Sequence, residues 1–270
     1  MYKPMTMAAS VDVAVMRNAI PKELTDGVIT PNKTKRVSAN ALLPKLNEFL
    51  IGYVDKYGKP IAFAREKNGA LVQDVYPMPG DEKIQISSSS AVVLQMHTET
   101  AFHKYKPDWV ILACVKGDKK AETLYATLDE ILRDLDEKTI WDLRQPEFIT
   151  TVDPSFLRSG EKQKEIVVRP ISGFGANKWC LTYDADLMKG ITSDASSALK
   201  KLGVAIAKCT RSVVLETGDI LVINNRVAVH GRRPFKARYD GTDRWLKRIL
   251  VRETMPPRSA MKGSVVVGEA

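Results

Sequence analysis

The 270-residue chain has three histidines, His97, His103 and His230. His97 stands two positions before a carboxylate, Glu99, in Met96-His97-Thr98-Glu99-Thr100-Ala101-Phe102-His103. On extended backbone, residues i and i+2 project to the same face. An imidazole and a carboxylate would then leave one rigid element together, as two-thirds of a 2-His-1-carboxylate iron site. The third ligand has to come from elsewhere in the chain. His230 is one source. His103 is the rival and would make a zinc-type cluster, although its spacing departs from the His-Glu-x-x-His helix pattern. Taken alone, His-x-Glu is also an ordinary surface pair.

A second stretch of interest runs from Glu216-Thr217-Gly218-Asp219 through Asn224-Asn225 to His230-Gly231-Arg232. The first turn launches a strand, the asparagines turn the chain, and the next strand delivers His230. Gly231 permits a close approach or an unusual backbone angle. Downstream, Arg244 and Arg248 are four residues apart and would share one face of a strand. Their apolar flanks, Trp245, Leu246, Ile249 and Leu250, argue for a buried segment, so both guanidiniums would point into one cavity. Asp184 and Asp186 sit in Tyr183-Asp184-Ala185-Asp186, where aspartate could cap a helix starting near Leu187.

These residues need elements to hold them. Ala91-Val92-Val93-Leu94, just before the first motif, reads as a buried strand. Ser38-Ala39-Asn40 caps an amphipathic helix running from Leu42 to about Lys56, so residues 1–57 form a helical part packed on the core. Ile61–Ala64 and Leu71–Val75 flank Asn68-Gly69 as a hairpin. Trp109–Val115 is a continuous apolar run and a buried strand. Lys119–Asp134 and Ser193–Lys208 read as helices. Strands are expected at 166–168, 179–183, 213–215, 220–223, 227–229 and 245–251, and a loose tail from Pro256. Asp153–Glu165, polar and broken by Pro154 and Gly160, reads as a long lid loop. Strands joined by short turns, with a few helices outside, predict a mainly β, α+β fold with a double-sheet core. Nothing demands a second domain, so 1–270 is taken as one.

Composition narrows the partners. The net charge of +9 raises nucleic acid as a partner, but the lysines and arginines are interspersed with acids and no nucleic-acid motif stands out. There is no run of eighteen apolar residues for a membrane span and no apolar signal core at the N-terminus. Cys114, Cys180 and Cys209 lie far apart and read as reduced packing residues of a cytoplasmic protein. Homo-oligomerisation stays open.

Together, His97-Thr98-Glu99, His230-Gly231-Arg232, Pro234-Phe235, Arg238–Gly241 and Asp243–Arg248 resemble the clavaminate synthase family of Fe(II)- and 2-oxoglutarate-dependent oxygenases, which act on free amino acids and their derivatives. The likeness is dense from about Ser87 to Val115 and from Thr217 to Val251. It implies a distorted double-stranded β-helix, or cupin-like jelly roll. It implies iron held by His97, Glu99 and His230, with 2-oxoglutarate and O₂ as cosubstrates. Arg244, fourteen residues after His230, would grip the distal carboxylate of 2-oxoglutarate, and Thr123 aligns across a short gap with a threonine that touches it. Arg248 would bind the substrate α-carboxylate, and Ser87 its amino acid head, unless Ser87–Ser90 is loop filler. The resemblance also sets Asp184 and Asp186 against a cationic side chain, implying hydroxylation of lysine first, then arginine or ornithine. Related halogenases replace the carboxylate ligand by a small residue; Glu99 is present, which favours hydroxylation. Two alternatives stand beside this: desaturation or cyclisation by the same chemistry, and a basic binding protein with an idle metal site.

Overall fold

Trp109–Lys116 is apolar along nearly its whole length because both of its faces are covered. Ile111, Ala113 and Val115 pack outward with Leu46, Leu50 and Val54 of a helix. Val110, Leu112 and Cys114 pack inward with Phe63, Leu221, Leu246 and Leu250. The computed structural model that shows this describes residues 11–31, 43–157, 159–173 and 178–268. In chain order its strands are β1 (Val13–Met16), β2 (Lys59–Phe63), β3 (Val72–Val75), β4 (Leu94–His97), β5 (Trp109–Lys116), β6 (Thr123–Thr127), β7 (Phe148–Thr151), β8 (Glu165–Val168), β9 (Ile171–Gly173), β10 (Trp179–Leu181), β11 (Met188–Gly190), β12 (Arg211–Val213), β13 (Ile220–Asn224), β14 (Ala228–Arg232), β15 (Trp245–Arg252), β16 (Met261–Lys262) and β17 (Val266–Val267). The helices are α1 (Pro44–Val54), α2 (Leu128–Arg133), α3 (Glu137–Leu143) and α4 (Ser193–Cys209).

Two sheets carry the site. The larger runs β1-β13-β5-β15-β2-β17-β16, with β3 also on β15. The smaller runs β12-β6-β14-β4. Helix α1 covers the outer face of the large sheet. Helix α4 buries Leu202, Ala205 and Ile206 against Ala126 and Val229, the outer face of the small one. This is the expected double-stranded β-helix, flanked by helices on both sides.

Several local expectations change. Thr123–Thr127 is a strand and only Leu128–Arg133 is helical. Leu124 and Ala126 are buried on alternating positions, and the backbone between β12 and β14 is taken up by pairing. The turn at Asn68-Gly69 forms, with Lys67, Asn68 and Gly69 all at positive φ, but β2 and β3 do not pair with each other. Both pair with β15, Ile61 against Leu250 and Val75 against Leu246, because that strand is long enough to take two short partners end to end. Ala91–Val93 is not a buried strand; Val93 is exposed, and pairing begins at Leu94. Val13–Met16 is a strand on β13, so the part before residue 57 is not all helix. The proposed cap at Ser38–Asn40 lies outside the described residues. The tail is not loose, since β17 runs parallel to β2 and pairs with β16. The strand expected at 213–215 ends at Val213. No helix among the described residues is long and apolar enough to cross a membrane.

Candidate metal centre

The antiparallel ladder between β14 and β4 sets His230 directly opposite His97. Partners in such a ladder project to the same side, and the two imidazole centroids lie 4.5 Å apart. Glu99 does not share a strand with His97, as simple alternation suggests. β4 ends at His97, and Glu99 enters the same space from the turn beyond it. Its Oε2 is 3.6 Å from His230 Nε2, too long for an ordinary hydrogen bond. One potential ligand atom from each of His97, Glu99 and His230 lies within 4.8 Å of the others. Among the described residues this is the one such cluster of three.

The donor set fits a divalent iron. His97 Nδ1 is 2.8 Å from the Gln95 carbonyl. A carbonyl only accepts, so Nδ1 is the donor, which leaves Nε2 as the nitrogen that would face a metal. His230 is held below its ordinary pKa by burial and by His97, which keeps it neutral. Burial alone would raise Glu99, but the Arg248 guanidinium overrides this and holds the carboxyl well below the usual carboxylate range. Two neutral imidazoles and one carboxylate are the ligand forms iron requires. His103 takes no part. Its Nδ1 accepts the Tyr105 N–H at 2.9 Å, and its ring packs 4.8 Å from Phe63.

All three groups line one cavity of about 210 Å³. Arg244, just before β15, is buried there and donates to Thr123 Oγ1 at 3.3 Å. No carboxylate among the described residues pairs with Arg244, and burial pulls its pKa down to about 10. Arg232 also packs on Phe235, 5.3 Å from its ring centroid against 5.7 Å for Arg244. It too lacks an acid and donates to Ser89 Oγ and the Val92 carbonyl. This end of the cavity therefore carries two guanidiniums with no directly paired carboxylate among the described residues, and it suits an anion.

The other guanidinium is already engaged. Arg248 Nη1 donates to both Glu99 oxygens at 2.9 Å, and Nη2 donates to Glu66 and Gln73. An incoming carboxylate would have to share it. Glu66, which nothing in the sequence singles out, is buried in the cavity wall, and burial raises its pKa despite Arg248. Ser87 lines the cavity, and its carbonyl lies 3.5 Å from Arg232 Nη1. Asp184 bridges to His97 through the backbone. Its Oδ1 accepts the N–H groups of Asp186 and Leu187, both at 2.9 Å. The capping idea thus holds for a turn leading into β11; there is no helix at Leu187. Asp184 and Asp186 both line the cavity, and so does Asp153 at the start of the 153–165 segment. Phe156 of that segment packs edge-on to Phe63 and Phe102.

Residues 50–250 match the model of the taurine catabolism dioxygenase TauD, TfdA family. The chain belongs to this family. An L-asparagine oxygenase of Streptomyces coelicolor is 37% identical over 76% of this chain and 61% of its own length. An L-lysine 3-hydroxylase of Catenulispora acidiphila is 34% identical over 83% of this chain and 63% of its own. Clavaminate synthase 2 of Streptomyces clavuligerus is 35% identical over 73% and 61%. The chain thus spans little more than six tenths of these relatives. The crystal structure of the non-heme iron oxygenase OrfP in complex with Fe and alpha-ketoglutaric acid superposes with a TM-score of 0.81 at 30% identity, covering 97% of this chain and 82% of that one. Membership of the TauD, TfdA family accounts for the shared β-helix and for the resemblance read from the two motifs.

Proposed function

We propose that the chain is an Fe(II)/2-oxoglutarate-dependent oxygenase that hydroxylates an unactivated C–H of a free basic L-amino acid, lysine before arginine or ornithine. The observation that carries this reading is the convergence of His97, Glu99 and His230 on a cavity that also holds a buried arginine, Arg244, with no carboxylate in hydrogen-bond or ion-pair contact with it among the described residues. Iron held by the three ligands would supply, with 2-oxoglutarate and O₂, the oxidative decarboxylation to succinate and CO₂ that drives C–H hydroxylation. Arg244 and Thr123 offer the distal carboxylate of 2-oxoglutarate a charged donor and a hydroxyl.

The amino acid head meets Arg248 and Ser87, with Glu66 as the nearby carboxylate for its ammonium group. Asp153, Asp184 and Asp186 form an acidic wall, and such a wall is complementary to a cationic side chain. Holding both ends of the substrate fixes which methylene faces the metal, which is where the protein's share of the rate lies. The lysine 3-hydroxylase relative supports a basic substrate. The asparagine oxygenase marks the neutral competitor.

The test supplies Fe(II), 2-oxoglutarate and a panel of free amino acids, then measures succinate and the mass of the amino acid. Lysine should stimulate succinate formation and gain one oxygen. Stimulation by asparagine alone would overturn the basic-substrate reading, and no response to any free amino acid would overturn the activity. Glu99→Ala should abolish turnover. Asp186→Asn should raise the KM for lysine while leaving the dependence on 2-oxoglutarate in place.

A further inference from the structure

Adjacent asparagines in the turn before β14 do different work. Asn224 serves its own turn: its Oδ1 accepts the N–H of Arg226 at 3.2 Å. Such a side chain-to-backbone bond two residues on is the ordinary role of asparagine in a turn. Asn225 spends nothing on the turn. It is completely buried, and its amide reaches across to the peptide of Glu99. Oδ1 accepts the Glu99 N–H at 2.8 Å, and Nδ2 donates to the Glu99 carbonyl at 3.1 Å. The second Nδ2 proton goes to the Pro107 carbonyl at 2.9 Å. The backbone N–H of Asn225 donates to the Asp108 carbonyl at 2.8 Å.

This matters because Glu99 has no strand partner. β4 stops at His97, so the ladder that sets His97 opposite His230 does not extend to the carboxylate. The next residue, Thr100, adopts φ +55°, a left-handed conformation that β-branched residues rarely take. The Thr100 hydroxyl is buried and makes no hydrogen bond within the described structure. The backbone strain therefore falls immediately after Glu99, whose own peptide is held from outside its element by Asn225. The Asn225 amide bonds both polar groups of that residue, as a neighbouring strand would. It also sits five residues before His230 on the segment that delivers the histidine.

We propose that Asn225 is a positioning residue of the metal centre, fixing the Glu99 carboxylate relative to His230 by clamping the Glu99 backbone. The inference rests on the iron reading above. Its work is geometric, so its loss changes how a metal is held before any substrate is present.

The experiment uses the metal-free full chain titrated with Co(II), read by calorimetry and by the visible ligand-field absorption of the bound ion. Thermal unfolding followed by circular dichroism is recorded on each protein. Asn225→Asp keeps the acceptor for the Glu99 N–H and sets oxygen against the Glu99 and Pro107 carbonyls. It should weaken Co(II) binding roughly tenfold to a hundredfold, the usual range for groups that orient a ligand, and shift the absorption bands. Asn224→Ala, which breaks only the turn bond, should bind Co(II) like the wild type. Where N225D does not fold, Asn225→Ser, which retains one polar contact in the same space, reads the same loss at smaller size.

Wild-type affinity and spectrum in the folded Asn225 variants would overturn the proposal. So would an equal loss in N224A, which would mean that any damage to the turn suffices. If the wild type itself takes up no Co(II), or if Glu99→Ala binds it unchanged, the iron reading fails first and this inference with it.

Discussion

The backbone of Gly231 runs so close beneath Leu94 that a Cβ on the glycine would lie 2.6 Å from the Leu94 carbonyl oxygen and 3.1 Å from Met96 Sδ. The contact falls at the bulge between β14 and β4, where the register shifts after the His230–His97 pair. Its φ is not positive, so what this position requires is space for a neighbouring strand. Gly231→Ala should push β4 away and spread His97 from His230. Metal affinity should fall roughly tenfold to a hundredfold, with a lower melting temperature in the metal-free protein. Unchanged Co(II) binding in G231A would show that the two strands do not set the histidine spacing.

Arg248 holds two buried carboxylates, Glu66 and Glu99, and removing it leaves both without their cation. Deleting one partner of a buried ion pair typically costs about 3–5 kcal/mol, because the charge left behind is uncompensated. Arg248→Met should destabilise the metal-free protein by that order. Adding Glu66→Gln should restore part of the loss, giving the two sites a clear coupling energy in urea unfolding. A divalent ion should stabilise R248M more than wild type, since it supplies the cation that Glu99 has lost. Additive effects of the two substitutions would mean that the network carries no net coupling.

The three potential metal ligands were legible because histidine is rare in this chain, Glu99 stands two residues from one of the three, and His97 and His230 both fall in motifs of a known family. The strands that hold them were legible where burial on both faces made a plain apolar run, as at Trp109–Lys116. The features that stayed hidden depend on partners far along the chain. Glu66 looked like one charge among Arg65-Glu66-Lys67, and only the placement of β2 and β3 along β15 brings it to Arg248. Asp153 read as loop polarity until its segment folded onto the cavity. Leu124 stands at helical spacing from Leu128 and Ile131, yet a free position between β12 and β14 makes Thr123–Thr127 a strand. Asn225 could be read only as a turn residue, because its second role needs the Glu99 peptide 126 positions away.

Arg244 presents a buried guanidinium bonded to a single hydroxyl, Thr123 Oγ1. A planar fork that can bind a carboxylate through two parallel bonds is not reproduced by an ammonium. Arg244→Lys should raise the KM for 2-oxoglutarate by roughly tenfold to a hundredfold, the size of a charge-assisted hydrogen bond worth about 1.5–3 kcal/mol. Thr123→Val should raise it by less, roughly fivefold, for a neutral bond of about 1 kcal/mol. The KM for the amino acid should move little in either variant. An equal rise for both cosubstrates would place Arg244 at the substrate end of the cavity instead.

His103 carries the acid sensitivity that is easiest to isolate, since it lies off the metal cluster. Burial lowers its pKa from 6.5 to about 4 in the folded chain, with its Nδ1 accepting the Tyr105 N–H. The neutral ring is favoured in the fold, whereas the unfolded chain takes up a proton below its ordinary value. The unfolded state therefore binds more protons in this range, and stability is lost as pH falls from about 6.5 towards 4. The full loss from this one group approaches roughly 3 kcal/mol near pH 4. His103→Phe keeps the contact with Phe63 and removes the titration, at the expense of an unpaired Tyr105 N–H. It should be less stable than wild type at pH 7, and the gap should narrow or reverse by pH 4.5 in urea unfolding. A gap independent of pH would mean that His103 is already charged in the fold, or that its ring reaches water freely.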